Sequence, residues 1–232
     1  MKMSEYKQVA VEGLHGIKAT TLLDSISSSG IGITTFIVEY PRMILAELNT
    51  HRMLSRNSAS SRAIPFDKMV TQLTARPVRF GEANPGMQDK GEEFHQPVFY
   101  EEAYEYFSPE EYWEIAKDTA QKLAHGYHCA GYHKQITNRL VDPFQMVKTV
   151  ISGTEWANFF WLRNHASADP TFAELARVMQ QAMQQSFPQT LLPGEWHRFI
   201  PAGAGNSFSQ PFPSLQLTVH PRWRGEQRHH KG

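Results

Sequence analysis

The chain has 232 residues, 41% hydrophobic and 20% charged, which excludes an intrinsically disordered protein and suffices for one packed domain. Its 23 basic and 23 acidic residues cancel, which argues against a general nucleic-acid-binding protein because such binding needs a large basic field. One cysteine, no signal-peptide core and no long apolar run together predict a soluble cytoplasmic protein with no disulfide and no membrane contact.

The first predicted elements surround a basic segment. The β-branched and aromatic run 33–40 predicts a strand, and Pro41 suits the first turn of a helix whose apolar face ends at Leu48. A cationic turn follows at 50–62, and Pro65 is expected to open a short helix. The apolar face of that helix would consist of Phe66, Met69, Val70 and Leu73.

Residues 76–107 predict a long irregular loop, rich in Gly, Pro and aromatic residues. Ser108, Pro109 and Glu111 form a capping box with proline at the first helical position, which predicts the start of a long helix. The expected apolar face of this helix consists of Tyr112, Ile115, Ala116, Thr119 and Leu123. A second strand is predicted at 144–151.

Asp169 and Pro170 predict the start of the last helix. Its apolar face would consist of Phe172, Leu175, Ala176, Met179, Ala182 and Met183. The sequence predicts a single domain over 1–232, with a flexible tail from about 206. Strands and helices do not alternate as in repeated βαβ units, which favours an α+β fold.

The segment 50–62 is the most informative part of the sequence. It holds three arginines, one histidine and four serines, without an acidic residue. Guanidinium groups pair with phosphate oxygens, and hydroxyl groups complete such a site. The segment therefore predicts an anion-binding site, although an ordinary solvated loop has the same composition.

Two later segments carry further candidates. Arg139 precedes a proline-containing stretch, where it is either a ligand contact or a surface arginine. Asn158 and Arg163 lie in an aromatic segment, where a buried arginine needs a ligand or an ion pair.

Metal and nucleophile chemistry are not predicted. His125, His128 and His133 do not share one helical face, and no carboxylate completes a known metal pattern. Cys129 has no activating neighbour and is expected to be a small buried residue. No Walker-type phosphate loop or Rossmann fingerprint is present.

The order of residues in the basic segment resembles the signature of the flavin-dependent thymidylate synthases. His51 and Arg52 match its Arg-His-Arg start, Ser60 follows after seven residues, and Arg62 closes the pattern. Thr50 departs, because the family has arginine there. Further similar segments are 77–88, 133–144, 153–163, 168–179 and 194–197, and the variant is typical of the branch found in phages and some bacteria.

The resemblance implies an α+β fold with a central, mostly antiparallel sheet flanked by helices, in a homotetramer whose active sites are shared between subunits. It implies conversion of deoxyuridine monophosphate (dUMP) to deoxythymidine monophosphate (dTMP). Methylenetetrahydrofolate would supply the carbon, and FAD, reduced by NADPH, would supply the hydride.

The resemblance also implies the role of each site residue. The catalytic residue would be Arg163, at the uracil ring. The dUMP-binding residues would be Glu47, Ser60, Ser61, Arg62, Arg139 from a neighbouring subunit, and Arg163. The FAD-binding residues would be Thr50, His51, Arg52 and Asn158. The family's His-Glu-x-Pro-Phe-x-His segment is absent, and residues 27–31 stand in that region.

Three alternatives remain open. A related deoxyuridylate hydroxymethylase would use the same nucleotide and folate without the hydride. A nucleotide-binding protein that has lost catalysis would bind dUMP alone, although retention of Asn158 and Arg163 argues against it. A structural or virion protein with an arginine-rich surface would bind neither.

Overall fold

A mostly antiparallel sheet organises the chain, and the computed structural model describes residues 7–85 and 90–197. The strands are β1 (Val9–Glu12), β2 (Lys18–Ser27), β3 (Gly32–Pro41), β4 (Ser55–Ser58), β5 (Val98–Tyr100), β6 (Glu105–Phe107), β7 (Met146–Gly153) and β8 (Gln189–Leu191). The α-helices are α1 (Leu45–Leu48), α2 (Phe66–Val70), α3 (Pro109–Cys129), α4 (Lys134–Thr137), α5 (Ala157–Arg163) and α6 (Pro170–Gln184). Short 3-10 helices are Leu14–Gly16, Arg42–Ile44, Ser61–Ala63 and Asn138–Phe144.

The main sheet has the strand order β1-β2-β3-β7-β4, and each of these neighbours pairs antiparallel. Strand β8 pairs with the end of β2 and is the parallel member among the described strands. Strands β5 and β6 form a separate small hairpin. The α+β class with a mostly antiparallel sheet and flanking helices is therefore confirmed.

One face of the sheet builds the main core. Phe36, Val38 and Tyr40 alternate along β3 and are fully buried, as the pleat of a strand requires. Helix α6 covers this face with the apolar side chains that the sequence predicted, and the Asp169 side chain accepts from the backbone of Phe172 at 2.9 Å. The predicted start and buried face of α6 are confirmed.

A second core lies under α3, and it corrects the predicted face of that helix. The helix buries Ala124 and packs Trp113 and Ala120 against α2 and the Asn138–Phe144 segment, whereas Leu123 is 59% exposed. The indole of Trp113 donates to the carbonyl of Ala75 at 3.0 Å. The buried face of α3 is therefore offset by about one residue, roughly 100° around the helix, from the face that sequence periodicity suggested.

The N-terminus of α3 matches its predicted capping box. The backbone N–H of Glu111 donates to Oγ of Ser108 at 3.3 Å, and the backbone N–H of Ser108 donates to the Glu111 carboxylate at 2.9 Å. We expect Ser108→Ala to lower the free energy of unfolding by about 1 kcal/mol, the usual cost of a lost N-cap. Urea unfolding would measure this difference. Thr119→Ala, on the exposed side of α3, is the control and is expected to leave stability unchanged or slightly higher.

Other predicted boundaries change in the structure. The strand at 33–40 is confirmed as β3, but Pro41 closes it with an extended ψ of 127°, and a 3-10 turn precedes α1. Helix α2 ends at Val70, so Leu73 is buried outside it. The strand predicted at 144–151 begins two residues later as β7.

The segment 50–62 is not one continuous turn. Its middle, Ser55–Ser58, is the edge strand β4, paired with β7 from Ser152 to Thr149. Serine, arginine and asparagine give no local strand signal, so tertiary pairing determines this strand. The short β5–β6 hairpin likewise interrupts the loop predicted at 76–107.

Some sequence predictions fall outside the described residues. The tail from 206 onward lies there, as do residues 86–88 of the segment that resembles the family's loop. Across 7–85 and 90–197, no helix combines the length and apolarity needed to cross a bilayer.

Candidate functional site

The sequence-predicted site residues lie on four short elements. Glu47 is in α1, the FAD-assigned residues 50–52 follow it, and residues 60–62 open the Ser61–Ala63 turn after β4. Arg139 is in the Asn138–Phe144 segment, and Asn158 and Arg163 are in α5. His51 and Arg163 are half-buried, and Ser61 is buried. The exposed members of the set are Glu47, Thr50, Arg52, Ser60, Arg62, Arg139 and Asn158.

A direct side-chain contact joins segment 50–62 to segment 153–163. Nε of Arg163 donates to Nε2 of His51 at 2.9 Å, across 112 residues of sequence. An arginine N–H can only donate, so Nε2 of His51 carries no proton and the neutral ring is protonated at Nδ1. His51 therefore orients Arg163, and no described residue hydrogen-bonds to the two terminal amino groups of the guanidinium.

Aromatic rings fix this pair in place. The His51 ring meets Phe159 edge-on at 5.0 Å and Phe172 at 5.8 Å. The Arg163 guanidinium lies over Phe172 at 4.7 Å from the ring centre, within range of a cation–π interaction. Within the described chain Arg163 pairs with no carboxylate, so the ion-pair alternative of the sequence analysis does not apply to those residues.

The guanidinium of Arg56 binds backbone carbonyl groups. The sequence did not predict this structural role. The guanidinium donates to the carbonyl oxygens of His51, of Leu54 at 3.1 Å and of Asn49 at 2.9 Å. These bonds close the loop between α1 and β4 and hold His51. Of the three arginines in segment 50–62, only Arg52 and Arg62 have no hydrogen bond or ion pair to described residues.

Segment 133–144 also contacts segment 50–62 and the residues just after it. The side-chain amide of Asn138, fully buried, donates to the carbonyls of Ser61 at 2.8 Å and Ile64 at 3.0 Å. The backbone carbonyl of Asn138 accepts from the side-chain amide of Gln145 at 2.9 Å. Asn138 therefore fixes the Ser61–Ala63 turn, while the neighbouring Arg139 is exposed.

A partly buried ion pair joins the Arg42–Ile44 and Asn138–Phe144 turns. Nε of Arg42 lies 3.2 Å from Oδ1 of Asp142. Burial raises the pKa of Asp142, and the guanidinium of Arg42 opposes that rise. Neither residue was singled out in the sequence, because their pairing depends on the packing of two separate 3-10 turns.

Burial lowers the pKa of His51, and the nearby charges of Arg163 and Arg56 lower it further. Protonation would also remove the acceptor that holds Arg163. The stabilising contribution of neutral His51 is therefore fully present above the ordinary value of 6.5 and is lost as the pH falls through the lower folded-state pKa.

We expect the melting temperature to fall more on acidification from pH 7.5 to pH 5 in the wild type than in His51→Gln. Glutamine keeps a side-chain acceptor for Arg163 and does not titrate. Calorimetry of both proteins over this range isolates His51 from the other histidines, because those are common to both. Identical pH profiles would contradict the role assigned to His51.

The rejected metal and nucleophile candidates form a separate surface group. The His128 ring stacks on Phe66 at 4.6 Å, and Sγ of Cys129 lies 3.6 Å from the His125 ring. Cys129 is exposed, so the prediction of a buried cysteine is wrong; it lies at the outward-facing end of α3. In the residues that the structure covers, no three metal-ligating side chains come together.

The candidate residues thus form two groups: the half-buried guanidinium of Arg163 oriented by His51, and the exposed Arg62 and Ser60 at the turn that Asn138 fixes. Among the described residues, no hydrogen bond or ion pair joins the two groups. This arrangement suits a ligand with a flat polar ring and a phosphate. No protein-family model matches the chain, and no curated protein shows a significant match to it.

Proposed function

We propose that this protein is a flavin-dependent thymidylate synthase that converts dUMP to dTMP. The observation that carries the proposal is the Nε–Nε2 contact between Arg163 and His51. It joins two segments that the family resemblance assigns to one active site. The resemblance concerns residue order alone, so a direct contact between these residues is independent support.

The chemistry of thymidylate synthesis needs electron density at C5 of the uracil ring. A guanidinium at the N3/O2 edge stabilises negative charge on the ring and so lowers the barrier for attack by C5. Arg163 is suited to this role because its terminal amino groups are not used by described residues. His51 is a positioning residue, and its neutral form does not repel the guanidinium.

The phosphate end of dUMP would bind at the Ser61–Ala63 turn. Arg62 is exposed and can form a bidentate contact, and Ser60, two residues earlier, is also exposed and carries a hydroxyl. The bonds from Asn138 keep the turn in one conformation before the ligand binds, which reduces the entropic cost of binding. Holding ring and phosphate at two fixed points orients C5 toward the carbon donor.

The exposed donors after α1 fit a flavin dinucleotide. Arg52 has no hydrogen bond or ion pair to a described residue and can meet a diphosphate, and the exposed Asn158 has an amide that can meet a ring carbonyl or amide. The Thr50 hydroxyl donates to the carbonyl of Glu47 at 2.7 Å and retains its acceptor lone pairs. When bound, reduced FAD supplies the hydride that turns the transferred methylene into a methyl group.

Several large apolar side chains near Arg139 support the homotetramer that we propose with this function. Tyr132, Ile136 and Leu140 are each between 39% and 54% exposed. A cluster of exposed apolar residues marks an interaction surface. A subunit contact there would bring Arg139 to the active site of a neighbour, and light scattering of the purified protein would give the assembly mass.

The absorption spectrum of the protein, loaded with FAD and titrated with dUMP, tests the proposal. We expect the flavin bands to shift with dUMP, because both ligands share one site. Deoxyuridine, which lacks the phosphate, is the matched ligand and should shift the bands only at much higher concentration. A protein that binds dUMP but takes up no FAD would contradict the proposal and favour a flavin-independent enzyme or a silent binder.

A further inference from the structure

The β5–β6 hairpin carries aromatic side chains on both of its faces. In the register of the hairpin, Phe99 lies opposite Tyr106, and Val98 lies opposite Phe107. Successive side chains along a strand point to opposite faces, so these two pairs lie on opposite sides of the hairpin. We call the face with Phe99 and Tyr106 the outer face and the other the inner face.

The inner face packs against α3. Both strands of the hairpin contact this helix, and Val98 and Phe107 are half-buried. The ring of Tyr100, which lies on the same face as Val98, meets Tyr112 of α3 edge-on at 5.9 Å. These contacts hold the hairpin to the molecule, because a two-stranded hairpin is marginally stable without a packed face.

The outer face carries a cluster of three rings. The ring centres of Phe99 and Tyr106 are 5.1 Å apart, and Tyr104 from the connecting turn meets Phe99 edge-on at 5.4 Å. Phe99 is 39% exposed, Tyr106 66% and Tyr104 85%. The solvated face of an antiparallel sheet normally carries polar side chains. A contiguous aromatic cluster there marks an interaction surface.

The backbone holds Tyr104 in an unfavourable conformation. Its φ is 54°, in the left-handed region that glycine, asparagine and aspartate adopt far more readily than tyrosine. Packing within the molecule does not account for a tyrosine at this position, because its side chain is so widely exposed. Residues held in such conformations cluster at binding sites.

The charge of the hairpin selects the partner. Residues 91–116 contain eight glutamates and neither lysine nor arginine, although the whole chain is neutral. Three of these glutamates, Glu101, Glu102 and Glu105, are exposed on the hairpin itself. Such a surface repels nucleic acids and anionic membranes. Two copies that met through this same face would also bring like charges together, which is unfavourable.

We propose that the outer face of the β5–β6 hairpin docks a cationic segment of another protein through its arginine side chains. A guanidinium stacks on the exposed rings of Tyr104 and Tyr106, and the glutamates at the rim accept its hydrogen bonds. The proposal does not rest on the thymidylate synthase assignment, because none of the residues assigned to dUMP or FAD belongs to the hairpin.

Fluorescence anisotropy with a labelled peptide, in which arginine alternates with glycine, tests the proposal on the full chain. The matched peptide contains citrulline in place of arginine, which keeps the shape of the side chain and removes its charge. We expect the arginine peptide to bind at least about tenfold more tightly than the citrulline peptide, since charge-assisted hydrogen bonds are lost in the latter.

The double variant Tyr104→Asn, Tyr106→Thr removes two rings without changing the charge. Asparagine tolerates a positive φ and threonine suits a strand, so thermal unfolding should show an unchanged or slightly more stable protein. We expect the arginine peptide to bind roughly five- to thirtyfold more weakly, the effect of losing two exposed cation–π contacts. The control Tyr127→Asn, Phe187→Thr removes two exposed rings elsewhere and should leave binding unchanged.

A second pair of variants measures the contribution of charge. Glu101→Gln with Glu105→Gln is expected to weaken binding of the arginine peptide by roughly three- to tenfold, the effect of losing two exposed ion pairs. Asp67→Asn with Glu155→Gln removes the same charge from other exposed positions and should change binding little.

Three results would overturn the proposal. The first is equal binding of the arginine and citrulline peptides by the wild type, or no binding of either. The second is unchanged binding by the folded Tyr104→Asn, Tyr106→Thr protein, because the attraction would then be a general effect of acidic charge. The third is a lower assembly mass of that variant in light scattering, which would show that a second copy of the chain occupies the outer face.

Discussion

Replacing Arg163 by alanine is expected to lower kcat for dTMP formation by about 10²–10³-fold or more, the effect of removing a preorganised donor at a developing anion. In the proposed mechanism this guanidinium stabilises charge on the uracil ring, and His51 orients it by accepting from Nε. Single-turnover measurement of dTMP formation under saturating substrates gives this value directly. Wild-type turnover in the variant would remove Arg163 from the mechanism.

Two further variants separate charge from orientation at this position. Arg163→Lys keeps a cation near Phe172 but lacks the fork that meets both His51 and a ring edge, so we expect it to recover only a small part of kcat. His51→Gln retains an acceptor for Nε and should keep much more activity than His51→Ala. Each protein is first checked by thermal unfolding, because Phe172 packs against both side chains.

Replacing Arg62 by alanine is expected to raise the Kd for dUMP by roughly 10- to 100-fold, the effect of losing a charge-assisted hydrogen bond. Arg62 is exposed on a turn fixed by Asn138, so its loss should leave the fold intact. Fluorescence or calorimetric titration measures the change.

The matched ligand and the matched variant make this prediction specific. Binding of deoxyuridine, which lacks the phosphate, should be nearly the same in the wild type and in Arg62→Ala. Lys122→Ala removes the same unit of charge from the exposed surface of α3 and should change the Kd for dUMP little, because salt screens an exposed charge that does not contact the ligand. An equal loss for both ligands would reject the phosphate role of Arg62.

Elements with strong local signals could be predicted from the sequence. The apolar and β-branched run of β3, the capping box at Ser108 and the Asp169–Pro170 start of α6 all formed as expected. In each case a few neighbouring residues determine the backbone, so long-range packing was not needed to identify them.

Elements that depend on distant partners could not be predicted. Strand β4 exists because β7 pairs with it, and the buried face of α3 packs against residues of α2 and of the Asn138–Phe144 segment. Strand β8 is three residues long and carries no periodic signal. Local propensity is a weak guide where tertiary contacts compete with it.

The candidate site shows the same division. Residue order selected His51 and Arg163, but their contact could not be derived from spacing across 112 residues. The predicted anion-binding site rested on all three arginines of segment 50–62, but the guanidinium of Arg56 donates to backbone carbonyls. Asn138 was missed beside the more conspicuous Arg139, because its role depends on the carbonyl of Ser61.

Product analysis tests the central claim most directly. The purified protein is incubated with dUMP, methylenetetrahydrofolate, NADPH and FAD, and the nucleotide product is identified by mass spectrometry. We expect dTMP, with none formed when FAD is omitted and almost none with Arg163→Ala. A hydroxymethyl product, or unchanged dUMP despite bound nucleotide and flavin, would contradict the assignment as a flavin-dependent thymidylate synthase.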